Sequence, residues 1–266
     1  MLPNPIISFN IGPLEFNVYM YGLMIAIGIL GTFATLTLMG RRMKINDSFL
    51  DFTFFTAIGA IAFGFFSSSL FQEIYDYIEN PADKIEIFGK GMTFIGGLIG
   101  GVVTFLAVYF IARNKLHGRI IDLLSLAPCC ITIAHAFGRL GCFFGGCCYG
   151  KPTDSFLGVQ FPGHDTPVHP TQLYEAAFLF IIFGVMLFLL LKFDFKYNMT
   201  VYLISYGIFR FCIEFLRGDH RGELVTGISP SQFWSIGMVI IGIGLIFLVR
   251  YIQPRREAEK AAGKFV

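Results

Sequence analysis

Apolar residues in this chain run in long blocks, broken by short polar stretches. Each block is about 20 residues long, the length of helix that crosses roughly 30 Å of hydrocarbon. Within lipid, a helix satisfies its own backbone groups, so each block predicts one membrane-crossing helix. Seven are predicted, over about 17–39, 48–72, 91–112, 120–141, 172–191, 199–216 and 230–252. The fourth carries His135 and Arg139 near its end and then dissolves into a Gly/Cys-rich stretch. The sixth holds Arg210, Glu214 and Arg217 inside or at the edge of an apolar helix. The first is too long for a cleaved signal peptide, lacks a basic segment before it, and is expected to stay in the mature chain. The expected architecture is all-α: a polytopic integral membrane protein forming one membrane domain over 1–266, without internal repeats.

Orientation follows from the short loops. Arg41, Arg42 and Lys44 follow the first span, Arg113, Lys115 and Arg119 the third, Lys192 and Lys196 the fifth, and Arg255, Arg256, Lys260 and Lys264 the seventh. The loop after the second span is instead dominated by Glu73, Asp76, Glu79, Asp83 and Glu86. Basic loops face the cytoplasm, so the N-terminus is expected outside and 253–266 is expected as a cytoplasmic tail. The segment 141–171 and the loop 217–229 then share the outer side, where the polar residues of spans four and six can converge.

Composition narrows the function classes. Of 266 residues 55% are hydrophobic and only 14% charged, with mean hydropathy +0.67; soluble chains carry about 25% charge. A net charge of +2 on so apolar a chain leaves no electrostatic footprint for nucleic acid. The 32 Phe exclude intrinsic disorder.

Ionisable residues at membrane depth are costly and mark functional positions, each with a partner to name. In Arg210-Phe-Cys-Ile-Glu214-Phe-Leu-Arg217 the spacings of four and three put all three on one helix face. Arg210 and Glu214 can pair, which leaves Arg217 nearer the interface, as a snorkelling side chain or as part of a cationic site for phosphate. His135 and Arg139 share a face in the same way, and the glycines after them, Gly141 and Gly145-Gly146, let a ligand approach the backbone of an anion cradle that includes Cys142. His169-Pro170-Thr171-Gln172 reads as the start of the fifth span, with Thr171 or His169 near the cap, and Gln172 and Glu175 facing a protein interior or a polar cavity. Gly96-Gly97 and Gly100-Gly101 read as a close-packing face. Cys142, Cys147 and Cys148 lie beside Arg139; packing, a disulfide from Cys142 to either of the others, a thiol site and a metal site all fit, but the pattern is not the repeated C-x-x-C of a zinc site. No metal and no cofactor is assigned.

These residues together resemble the prolipoprotein diacylglyceryl transferase family of bacterial inner-membrane enzymes. The likeness runs through Tyr21-Gly-Leu-Met24, Phe94-Ile-Gly-Gly-Leu-Ile-Gly100, Gly138-Arg-Leu-Gly-Cys-Phe143 to Gly150, His169-Pro-Thr-Gln-Leu-Tyr-Glu175, Arg210 to Arg217, and Ile228-Ser-Pro-Ser-Gln232. It implies a transferase of lipoprotein biosynthesis. The diacylglyceryl group of phosphatidylglycerol passes to the lipobox cysteine in the signal peptide of a prolipoprotein, a protein modification made at the bilayer. By motif position Arg139 matches the family's lipid-phosphate-binding arginine and Arg210 its second essential arginine, while Tyr21, Glu214 and Gly150 match positions implicated in function. His135 joins Arg139, Arg210, Glu214 and Tyr21 as a catalytic candidate; Arg139, Arg217, Gly141, Cys142, Gly150, His169 and Gln172 are the substrate-binding candidates.

The chain departs from the family pattern at three places. Ile95 stands where a His is usual, Cys142 and Cys147 where Asn and Glu are usual, and Gly64-Phe-Phe-Ser-Ser-Ser69 lacks a usual arginine. His135 and Glu214 are left as candidates for the thiol proton, unless no base is needed. The alternatives are a related phospholipid-dependent transferase with a different acceptor, a lipid transporter, and a membrane thiol-redox or metal protein built on the three loop cysteines.

Overall fold

A computed structural model of the chain describes residues 4–11, 14–79, 93–163, 165–218 and 228–261. Strands β1 (Ile7–Ile11) and β2 (Leu14–Val18) precede α1 (Met20–Arg42), α2 (Asp47–Glu79), α3 (Phe94–Ala112), α4 (Ala127–Phe144), α5 (Thr171–Phe193), α6 (Asn198–Ile213) and α7 (Pro230–Ala261). Seven helices among the described residues are long and apolar enough to cross a membrane. The chain is a multi-pass membrane protein of the all-α class, with large apolar side chains such as Leu30, Phe55, Ile111, Ile181 and Phe247 turned outward.

Local chemistry sets the helix ends. Pro128 stands in the first turn of α4, where its missing N–H costs nothing. The preceding Ile120–Leu123 is a separate 3₁₀ turn, so the fourth span begins at 127 and not at 120. α5 stops at Asp194 in the left-handed region (φ 49°), with the Asp194 N–H on the Leu190 carbonyl and the Phe195 N–H on that of Leu189, a C-terminal closure that satisfies the last carbonyls. α7 opens with a reciprocal capping box: the Gln232 N–H donates to Ser229 Oγ at 3.2 Å and the Ser229 N–H to Gln232 Oε1 at 3.1 Å. Three further boundaries differ from expectation. α2 continues past 72 to Glu79, α3 starts at Phe94, and α7 carries its helix through Pro254 to Ala261, so most of the expected tail is helical. The short antiparallel ribbon of β1 and β2, in register Ile7↔Val18 to Ile11↔Leu14, was not among the expected elements, although Ile7-Ser-Phe-Asn-Ile11 and Leu14-Glu-Phe-Asn-Val18 each alternate apolar and polar residues as a half-buried strand does. Asp83 and Glu86 of the acidic loop, residues 219–227 of the loop after the sixth span, and 262–266 lie outside the described residues.

The chain divides into two compact units. In the one spanning Gly40–Arg119, α3 lies against α2 through the glycine face. A Cβ on Gly100 would meet the Ser67 side chain, and one on Gly97 would sit 3.3 Å from the Gly64 carbonyl oxygen. Ser67 Oγ donates to the Gly96 carbonyl at 2.9 Å and Ser68 Oγ to that of Thr93 at 2.8 Å. The close-packing reading of these glycines therefore holds, and Ser67 and Ser68 serve as interhelical donors.

The other unit holds β1, β2, α1 through Met39, and the chain from Ile120. Its core is built from Leu126, Ala136, Leu179 and Met186, all fully buried. Polar ties cross it: Thr32 Oγ1 donates to the Cys130 carbonyl at 2.9 Å, and Asn198 Nδ2 to the carbonyls of Ser125 and Met186 at 2.9 and 3.1 Å. With no water to satisfy them, buried backbone and amide groups at this depth take such partners.

Candidate active site

The ionisable residues of α4, α5 and α6 gather around one carboxylate. Glu175, one turn into α5 and 1% exposed, is the hub. Arg139 Nε approaches its Oε1 to 2.9 Å, His135 Nε2 lies 3.5 Å from the same oxygen, and the Tyr206 hydroxyl donates to it at 2.7 Å. The Arg139 contact is an ion pair whose N–H is not aligned as a hydrogen bond. Tyr206 also comes within 3.4 Å of His135 Nε2, with the two rings edge to face at 4.9 Å, and stacks on Tyr202. The i, i+4 spacing of His135 and Arg139 puts both on one face of α4, as the sequence predicts. A carboxylate taken this far out of water is stable only beside such cations and donors.

A second cluster sits further along α6. Arg210 Nη1 pairs with Glu214 Oε2 at 2.7 Å, Arg210 Nη2 donates to Ser231 Oγ at 2.9 Å, and Ser229 Oγ donates to Glu214 Oε1 at 2.8 Å. Ser229 and Ser231 thus dock the start of α7 onto this ion pair. Arg210 also lies within electrostatic reach of both Glu175 and His135, so the guanidinium groups of two separate helices share one neighbourhood.

Arg217 departs from the expectation of a common face with Arg210 and Glu214. α6 ends at Ile213, Glu214–Leu216 tightens into a 3₁₀ turn, and Arg217 is extended, buried, and bridged to Gly150. Snorkelling is thereby excluded. The Lys151 N–H donates to the Leu216 carbonyl and the Gly150 N–H to that of His169, both at 2.8 Å. A Cβ at Gly150 would stand 2.5 Å from the Leu216 oxygen and 2.9 Å from the side chains of His169 and Thr171. Only glycine lets three strands of backbone meet here.

Other site residues line the loop that follows α4. Tyr21, half exposed on α1, lies over Gly141: a Cβ there would be 3.1 Å from its ring. Gln172 and Thr171, both 1% exposed, do not cap α5, whose cap position is Pro170 and receives no side-chain bond. They reach back instead, Thr171 Oγ1 to the Cys148 carbonyl at 2.8 Å and Gln172 Nε2 to that of Cys147 at 2.5 Å. His169 turns to the Tyr174 hydroxyl at 3.2 Å. No disulfide joins any of the six cysteines in this structure. The sulfurs of Cys142, Cys147 and Cys148 all lie within 4.8 Å of one another. Hydrogen bonds from Cys142 and Cys147, together with the nearby Arg217 and Arg139, hold the Cys148 thiol below its ordinary range. Ile95 is on α3 in the other unit, and its side chain lies outside the described residues.

Sequence reasoning gave Glu175 a buried polar setting but no place in the site, quoted Ser229 and Ser231 only within the Ile228–Gln232 segment and without a role, and passed over Tyr206. A carboxylate facing inward from the first turns of a span carrying no other charge until Lys192 was the signal available for Glu175; a tyrosine or serine in an apolar helix carries none.

Comparison with known proteins bears on this geometry. Residues 6–248 match the family described as prolipoprotein diacylglyceryl transferase. A phosphatidylglycerol–prolipoprotein diacylglyceryl transferase of Clostridium tetani is 37% identical over 244 residues, 88% of this chain and 94% of that protein. One from Marinomonas sp. is 34% identical over 256 residues, 90% and 91% of the two chains. A third, phosphatidylglycerol–prolipoprotein diacylglyceryl transferase 2 of Clostridium perfringens, is 32% identical over 248 residues, 91% and 94%. A match over nearly its whole length, on a seven-span frame with two arginine–glutamate clusters, makes the chain a member of the prolipoprotein diacylglyceryl transferase family.

Proposed function

We infer that the chain catalyses the reaction its relatives are named for, transfer of the diacylglyceryl group of phosphatidylglycerol to a prolipoprotein, with the lipobox cysteine of the signal peptide as acceptor. The acceptor sulfur attacks the glycerol carbon that bears the phosphate. A C–S bond forms, the C–O bond breaks, glycerol phosphate leaves, and the thiol proton passes to a base. No cysteine of the enzyme takes part in that step.

The observation that carries this reading is the pairing of Arg139 and Arg210 with carboxylates in one buried neighbourhood. Charge builds on the phosphate as the bond breaks, and cations already held in place stabilise it without reorganising. Arg139 is the proposed phosphate anchor: Glu175 fixes it through Nε, which leaves its two Nη groups as the fork for phosphate oxygens. Arg210 is the proposed second cation, aimed by Glu214 and Ser231. His135 and Glu214 are candidate proton acceptors. His135 is the nearer to Arg139, since both contact Glu175. Tyr21, Gly141 and Cys142 border the proposed entry for the headgroup; Gly150 and Arg217 brace the loop 141–171, with His169 and Gln172 holding its return. The site is proposed to face the outer leaflet of the bacterial cytoplasmic membrane, where exported prolipoproteins present their signal peptides.

Complementation of a bacterium depleted of its own transferase tests the reading. Wild-type protein is expected to restore a diacylglyceryl-bearing lipoprotein N-terminus, read by mass spectrometry, whereas Arg139→Ala is expected to insert in the membrane and restore none. A rescued strain whose lipoprotein cysteine stays unmodified, or full turnover by Arg139→Ala, would refute it.

A further inference from the structure

Three sulfurs on one short loop take no part in the bond-making step, although Cys142 also borders the proposed headgroup entry. Cys142 is on the last turn of α4, and Cys147 and Cys148 follow a tight reversal at Gly146 (φ 69°). Cys148 is itself in the left-handed region (φ 67°), a conformation unfavourable for a residue with a Cβ that persists only where its surroundings fix it. The surroundings do. The Cys147 N–H donates to the Cys142 carbonyl at 3.1 Å, buried Gln172 holds the Cys147 carbonyl, and buried Thr171 holds that of Cys148. The result is a pinned turn that brings three thiols from a four-residue gap and an adjacent pair to within 4.8 Å of one another.

We propose that Cys142, Cys147 and Cys148 form a binding site for a single thiophilic d¹⁰ cation, zinc(II) or copper(I). Metal–thiolate bonds of about 2.3 Å put the sulfurs of a three-coordinate site roughly 4 Å apart, so the trio needs to contract by less than about 1 Å. A disulfide, at about 2.05 Å, asks for a closer approach than a shared ion does and joins only two of the three sulfurs. All three are sulfur donors, which select soft cations over calcium or magnesium. Binding exchanges three S–H bonds for three S–metal bonds and releases up to three protons, with no change of oxidation state. The negative charge left on the thiolates faces Arg139 and Arg217, both electrostatic neighbours of Cys148. Cys129 and Cys130 are buried elsewhere on α4 and Cys212 is on α6, so they are not part of the set.

The site stands whether or not the proposed lipid transfer does, and its test is independent of activity. Full-length reduced protein in detergent is incubated with zinc(II) or, anaerobically, with copper(I), desalted, and its metal-to-protein ratio measured. The expected result is about one cation per chain with at least one of the two metals, about one with Cys212→Ser, and less than a tenth of that with C142S/C147S/C148S. Because the triple variant can misfold, alkylation of the wild type is mapped in parallel: bound metal is expected to slow modification of these three cysteines at least tenfold and leave Cys212 unchanged. Equal metal retention by a folded triple variant, a wild-type ratio near zero with both metals, or unprotected alkylation would overturn the proposal, as would a Cys142–Cys147 or Cys142–Cys148 disulfide in protein isolated without reductant.

Discussion

Replacing Arg139 with lysine isolates the geometry of the proposed phosphate anchor from its charge. In the structure Arg139 meets Glu175 through Nε at 2.9 Å, which leaves the Nη groups for a second partner. A lysine ammonium is one point charge on a flexible stem and cannot hold Glu175 and fork two phosphate oxygens at once. Glu175, at 1% exposure, is the partner that cannot be abandoned. The ammonium is therefore expected to stay with the carboxylate, and the phosphate loses one to two charge-assisted hydrogen bonds, each contributing about 1.5–3 kcal/mol. A loss of about 3 kcal/mol in transition-state stabilisation lowers kcat/KM by roughly two orders of magnitude. The assay is release of glycerol phosphate from phosphatidylglycerol in mixed micelles with a lipobox peptide as acceptor, on protein matched for monodispersity and thermal unfolding. Turnover within about threefold of wild type would refute the bidentate reading and leave only a need for positive charge.

Arg210→Lys is expected to lower kcat by more than tenfold in the same assay, because a point-charge ammonium does not reproduce the planar fork that holds Glu214 through Nη1 and Ser231 through Nη2; unchanged kcat would remove Arg210 from the site. Tyr206→Phe deletes a donor to a buried carboxylate, a loss of about 1–3 kcal/mol, and should reduce kcat/KM about tenfold or more with little change in KM; a pure KM effect would place Tyr206 in ground-state binding instead. Gly150→Ala must push back the Leu216 carbonyl and the bridge to Arg217, so both unfolding temperature and activity are expected to fall, and a variant with wild-type values for both would show that the loop has slack.

The spans were legible because hydrocarbon imposes a length and a composition on every helix that crosses it, and the Arg210–Glu214 and His135–Arg139 faces because helical spacing is local. What escaped the sequence depends on tertiary position. Arg217 reads as one more step along α6, yet the helix tightens into a 3₁₀ turn at Glu214 and sends it to Gly150. Thr171 and Gln172 read as a helix start, but their partners are carbonyls of a loop more than twenty residues earlier. Glu175 becomes the hub only because α4 and α6 both present polar groups to it. The three cysteines show no repeated C-x-x-C spacing; a turn with two left-handed residues brings them together.

The most direct measurement of the central claim is made on purified protein with phosphatidylglycerol vesicles and a synthetic lipobox peptide, following both products by mass spectrometry. The account predicts a thioether-linked diacylglyceryl peptide and glycerol phosphate, formed in equal amounts and lost together in Arg139→Ala. Glycerol phosphate released without a lipidated peptide, or a lipid attached to a group other than the cysteine sulfur, would contradict it.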